Sequence, residues 1–124
     1  ELPGCLTQAE SKQELLRNMQ DALNLFLDEP EDSQLAFPLP RHNQKVSKSI
    51  VAVAVDTKIA FAVLLRKARL EQQLTQRAMA EKLNHGSIFS YQKLESSRSA
   101  NPTLLKVQQL KAVLPNLRTD LLFA

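Results

Sequence analysis

Seven carboxylates between Glu10 and Asp32 are the first residues in this 124-residue chain with the means to do chemistry. Metal-assisted hydrolysis needs several carboxylates converging on one point. Glu10, Glu14, Asp21, Asp28, Glu29, Glu31 and Asp32 are instead strung along a helix surface and a connecting segment, so no converging set is expected. Cys5, the single cysteine, has no histidine beside it in sequence and reads as a buried structural thiol rather than a nucleophile. It also cannot form an internal disulfide, and with only His42 and His85 the chain lacks a ligand set for structural zinc. Neither catalysis nor a resident metal or cofactor is expected. What remains is recognition chemistry, concentrated where Ser87, Phe89, Ser90, Gln92 and Lys93 bring donors, acceptors and an aromatic ring into seven residues.

Helices must position that cluster. Thr75 caps a helix predicted over Gln76 to Leu83, Asn84-His85-Gly86 reads as a turn, and Ser87 caps a second helix from Ile88 to Ser96. Ahead of this pair, Asp56-Thr57 opens a helix from Lys58 to about Gln73. Behind it, Asn101 with Pro102 at the first helical position opens one to Leu114, stopped by Pro115. Leu117 to Phe123 adds a last turn or two. Leu65, Ala68, Leu74, Met79, Ala80, Leu83, Ile88, Tyr91, Leu94, Leu105 and Leu110 fall where these helices pack and are the expected core. The first half reads differently. Ser11 and Glu14 form a capping box for an amphipathic helix ending before Pro30, and a segment rich in Pro, acid, Ser and Asn follows to Lys48. Ser49 to Val55, with valine at every second position, suits a strand with one buried face, a helix being the alternative; the new N-cap at Asp56-Thr57 favours the strand.

A chain of this length buries one ordinary core or two small ones, and the boundary falls near residue 55: a first module over 1–55 and a second over 56–124. Only two glycines argue against an all-β fold. The expected class is mainly α, with a small α+β module followed by a compact domain of four or five helices. Charge divides the chain in the same way. Residues 1–44 hold three Lys/Arg against eight Asp/Glu, a balance of −5, whereas residues 45–124 hold thirteen against five, a balance of +8. Only the second half favours a polyanion. The apolar stretch from Ile50 to Leu65 is interrupted by Asp56 and Lys58 and is too short for a membrane span, so a cytoplasmic protein is expected. The start at Glu1-Leu2-Pro3-Gly4, without Met, is what a processed or truncated chain shows.

Arg69-Leu70-Glu71-Gln72-Gln73-Leu74-Thr75-Gln76, Ala80-Glu81-Lys82-Leu83, Tyr91-Gln92-Lys93-Leu94-Glu95 and Asn101-Pro102-Thr103-Leu104 together resemble the Cro/lambda-repressor-like helix-turn-helix family. The stretch from Leu83 to Glu95 is one residue longer than the commonest family spacing. The resemblance implies a structural ion pair between Arg69 and Glu95 that orients the recognition helix. It places Ser87, Phe89 and Lys93, with Ser90 beside them, at base-reading positions in the major groove, whose edges carry a distinguishable donor and acceptor pattern. Lys93 suits guanine O6 and N7, the serines several acceptors, and Phe89 a thymine methyl. Gln76 is the implied backbone clamp. The loop Ser96-Ser97-Arg98-Ser99 offers amides, hydroxyls and a cation for further phosphate contacts through Ser97 and Arg98, and Arg77 and Lys106 are weaker candidates. The expected partner is double-stranded operator DNA bound by a homodimer or higher homo-oligomer.

Leu2-Pro3-Gly4-Cys5-Leu6-Thr7-Gln8, followed by a capped helix, a Pro-rich joint with Pro38-Leu39-Pro40, a strand and a DNA-binding domain, is similar to HicB-type antitoxins. That resemblance implies a partial RNase H-like first module that binds a HicA-type toxin, a small mRNA-cleaving ribonuclease, and a second module that represses its own promoter. It also implies two strands ahead of the Pro-Gly motif, which this sequence does not contain. Two further functions fit the residues. One is a stand-alone regulator whose first half oligomerises or senses an effector. The other is a protein-interaction module that keeps the helical fold without DNA affinity.

Overall fold

The computed structural model describes residues 7, 11–40, 52–84 and 87–122. Their helices are α1 (Lys12–Leu27), α2 (Thr57–Glu71), α3 (Gln76–Lys82), α4 (Ile88–Gln92) and α5 (Leu104–Val113). Short 3-10 turns at Lys93–Glu95 and Thr119–Leu121 follow α4 and α5. The mainly helical class expected from composition is what the described residues show.

Local chemistry explains most of the boundaries. Ser11 accepts the Glu14 amide at α1, Asp56 the Lys58 amide at α2, Thr75 the Ala78 amide at α3 and Ser87 the Ser90 amide at α4. The chain leaves α2 and α3 through left-handed residues, Gln73 at φ 57° and Asn84 at φ 56°. Leu74 N donates back to Arg69 O at 3.2 Å, and Asn84 N to Glu81 O at 3.1 Å, closing each helix on itself. Asparagine tolerates this conformation through local hydrogen bonding. His85 and Gly86, the rest of the expected turn, lie outside the described residues.

Helix α5 begins later than expected. Thr103, not Asn101, supplies the cap by accepting the Lys106 amide at 3.2 Å, which leaves Pro102 outside the helix. One face of α5 then packs inward through Val107, Leu110 and Val113. A helix turns about 100° per residue, so Leu105 points away from this face. Leu105 is 70% exposed and is not part of the core, contrary to expectation.

The core forms where α2, α3, α4 and α5 meet, around Phe61, Leu65, Met79, Tyr91, Leu110 and Leu114, with Leu74, Leu83 and Leu39 packed at its edge. α1 packs against α2, and Asn24 Oδ1 accepts the Asp56 amide at 2.8 Å. The rings of Phe26 and the buried Phe37 lie 5.6 Å apart, which folds the Pro-rich segment back along α1.

The strand expected over Ser49–Val55 is not formed where it can be seen. Ser49, Ile50 and Val51 lie outside the described residues. Ala52 to Val55 alternate between exposed and half-buried as the pattern requires, yet make no strand. A strand needs a neighbour to pair its backbone groups, and among the described residues there is none. They contain no α+β sheet module of the RNase H-like kind.

Candidate nucleic-acid interface

Two layers define the site: a buried polar lock and an exposed rim. The lock is centred on Glu95, which has no exposed surface. Arg69 reaches it from α2, donating from Nε to Oε1 at 2.6 Å and from Nη2 to Oε2 at 3.2 Å, while its Nη1 donates to Leu74 O at 2.8 Å. Tyr91 Oη donates to Oε1 at 2.7 Å, and Gln76 Nε2 to Oε2 at 2.9 Å. The expected Arg69–Glu95 ion pair is therefore present and buried, joining α2 to the turn that ends α4.

Arg66 is a second buried cation that the sequence reading missed. It is 1% exposed, lies 3.7 Å from Glu95 Oε2, and donates from Nη2 to the carbonyls of Glu95 and Pro30, each at 3.0 Å. Its Nε makes no hydrogen bond among the described residues. Burial lowers the Arg66 pKa from its ordinary value, against the opposing pull of the Glu95 and Glu29 carboxylates. The missed signal was helical register. Ala62, Leu65, Arg66 and Arg69 recur at three and four residues, which carries both arginines onto the buried face of α2.

Burial also raises the Tyr91 pKa far above its ordinary value, and the charge of Glu95 adds to the effect. A phenol in this setting stays protonated and keeps donating to the carboxylate. Both oxygens of Glu95 are thus occupied by donors from three helices, which fixes the α4 segment relative to α2 and α3.

Over this lock lies the expected base-reading set. Ser87, Phe89, Ser90 and Lys93 are all exposed, and Phe89 is 69% exposed despite its apolar ring. Ser87 Oγ and Ser90 Oγ lie 3.3 Å apart, and the Lys93 carbonyl accepts from Ser99 Oγ at 3.3 Å. Phe89 and Lys93 are four residues apart, the spacing at which side chains share one side of a helix. α4 is short, however, and Lys93 already belongs to the 3-10 turn.

The expected phosphate contacts divide. Arg77 and Arg98 are exposed. Gln76 is only 7% exposed, and its side chain is spent inside the protein: Nε2 donates to Glu31 O at 2.6 Å as well as to Glu95, and Oε1 accepts from Gln92 Nε2 at 2.9 Å. Ser97 is half-buried, with its Oγ donating to Asp28 Oδ1. Lys106 lies half-buried on α5. Cys5, His42 and His85 lie outside the described residues, and no cluster of metal-binding side chains occurs among those described. No described helix is long and apolar enough to cross a membrane.

The fold and its surface define a small helical protein with an outward-facing polar and aromatic helix held by a buried ionic lock. Comparison with known proteins gives a family. The chain is 38% identical over 53 residues to a UPF0150 protein of Helicobacter pylori strain J99, a match that spans 72% of that protein and 43% of this chain. The chain belongs to the UPF0150 family. No family model matches it. No solved structure matches it.

Proposed function

We propose that this protein is an antitoxin and transcriptional repressor that binds operator DNA through residues 56–124 and a toxin through residues 1–55. The observation that carries the DNA-binding half is the exposed set Ser87, Phe89, Ser90 and Lys93, held in place by the buried network on Glu95. An exposed phenylalanine beside donors and a lysine suits a major groove, which offers thymine methyls next to purine acceptors. Arg77 and Arg98 supply the cations for phosphate, in a half of the chain whose balance is +8.

Family membership supports the toxin-related half, because UPF0150 proteins are linked to HicB-like toxin–antitoxin proteins. The partner inferred from that link is a HicA-type mRNA-cleaving toxin, which the acidic first half suits by charge. The protein acts in the cytoplasm as a homodimer or higher oligomer, without a cofactor and without catalytic activity of its own. A dimer requires half-sites one helical turn apart, about 10 to 10.5 bp, or a multiple of it.

Co-expression with the product of the adjacent reading frame tests the pairing. A small basic protein that co-purifies, and is toxic when produced alone, is the expected result. Absence of such a neighbour leaves a stand-alone regulator. Retention of the gene's own upstream DNA against excess unrelated DNA tests the repressor role.

A further inference from the structure

Residues Asp28-Glu29-Pro30-Glu31-Asp32 place four carboxylates in five positions, in a turn closed by Ser33 N donating to Pro30 O at 3.0 Å. Three contacts seat this turn on the second half of the chain. Pro30 O accepts from Arg66, Glu31 O accepts from Gln76 at 2.6 Å, and Asp28 Oδ1 accepts from Ser97 Oγ. The Phe26–Phe37 ring contact holds the segment just beyond each end. Two of the three residues gripped, Gln76 and Ser97, are among those expected to hold DNA phosphate. The seating of the turn on these residues, rather than its charge alone, is the informative feature.

Both N–H donors of the Gln76 amide are taken, one by Glu31 O and one by Glu95, and the single hydroxyl proton of Ser97 goes to Asp28. While the turn is seated neither side chain has a donor left for phosphate, and carboxylates at the same place repel one. We infer that the acidic turn Asp28–Asp32 is an intramolecular competitor of DNA phosphate, which must leave Gln76 and Ser97 before the α3–α4 surface can close on a duplex. This rests on the operator-binding reading. Apparent operator affinity is then the intrinsic affinity reduced by the fraction of molecules with the turn undocked.

The test compares two full-length variants with the wild type, by fluorescence anisotropy on upstream DNA at low salt. In one, Asp28→Asn, Glu29→Gln, Glu31→Gln and Asp32→Asn neutralise the turn and leave its backbone carbonyls in place. In the other, Glu14→Gln, Asp21→Asn, Glu71→Gln and Asp120→Asn remove the same charge elsewhere. The first is expected to bind about tenfold tighter than wild type and the second to change by less than about threefold. A disulfide across the Asp28–Ser97 contact, made with Asp28→Cys and Ser97→Cys, supplies a second readout: DNA binding is expected to be about tenfold weaker when it is oxidised and to recover on reduction. Equal gains in both variants, no gain in either, or equal DNA affinity of the oxidised and reduced double-cysteine protein overturns the competitor while operator binding stands. Failure of every protein, wild type included, to prefer upstream DNA overturns the operator reading and the competitor with it.

Discussion

Arg69 Nε donates to Glu95 Oε1 at 2.6 Å across 26 residues of sequence, with both side chains almost wholly buried. Through this bond α2 sets where α4 and its exposed residues lie. Removing the carboxylate leaves two guanidinium groups buried without their counter-ion, so Glu95→Ala is expected to cost about 3 to 5 kcal/mol. Arg69→Ala should cost more than Arg66→Ala, because Arg69 makes three hydrogen bonds and Arg66 makes two, both to carbonyls. Urea denaturation midpoints give the ranking. A Glu95→Ala protein as stable as wild type would contradict the lock.

Tyr91 is the only tyrosine, and the chain has no tryptophan, so tyrosinate absorbance reports this one phenol. Its folded pKa is raised above the unfolded value of 10.0. The sign follows directly: stabilisation from the protonated phenol is fully present below about pH 10 and is lost as pH rises beyond it. Absorbance of the tyrosinate band is expected to stay flat until unfolding at alkaline pH, with both transitions at the same pH. A separate tyrosinate titration near pH 10 in folded protein would show that Tyr91 is not sealed against Glu95.

Gln76 joins three partners, Glu31, Glu95 and Gln92, across its side-chain amide. Gln76→Ala strands donors and acceptors in a buried place and is expected to cost about 1 to 3 kcal/mol. It should also loosen α4 through Gln92, visible as faster amide exchange at Tyr91 and Gln92. An effect confined to DNA binding, with stability unchanged, contradicts this placement.

The caps at Ser11, Asp56, Thr75 and Ser87 were legible because a cap is a contact between residues two or three apart. The Arg69–Glu95 pair was legible only through family resemblance, since nothing local joins residues 26 apart. Arg66 escaped because arginine is ordinarily exposed, and its burial depends on Pro30 and Glu95 arriving from elsewhere in the chain. Leu105 was misplaced because Thr103 takes the cap two residues later than Asn101, and a helix apolar on several sides does not announce which side packs. The described part of the strand expected over Ser49–Val55, Ala52 to Val55, has the right alternation but finds no pairing partner among the described residues, which no pattern within one segment can reveal. The acidic turn read as a solvated linker, and its seating on Gln76 and Ser97 is a long-range contact of the same invisible kind.

Base and phosphate contacts should separate by their effects. Phe89 is exposed, so Phe89→Ala is expected to change stability by less than about 0.5 kcal/mol. Phe89→Ala and Lys93→Ala should each lower discrimination between operator and unrelated DNA, by about 1 to 3 kcal/mol for Lys93. Arg77→Ala and Arg98→Ala should weaken binding to all sequences alike and reduce the salt slope by about 1 each. The reverse pattern would show that the recognition surface lies elsewhere.

Fluorescence anisotropy of the wild-type protein on its own upstream DNA and on a scrambled duplex, across a salt series, tests the central claim most directly. Binding that is at least about a thousandfold tighter to the upstream DNA, and that falls linearly with the logarithm of salt concentration, is the predicted result. Equal affinity for both duplexes, or affinity indifferent to salt, would contradict an operator-binding role for the surface around Ser87, Phe89, Ser90 and Lys93.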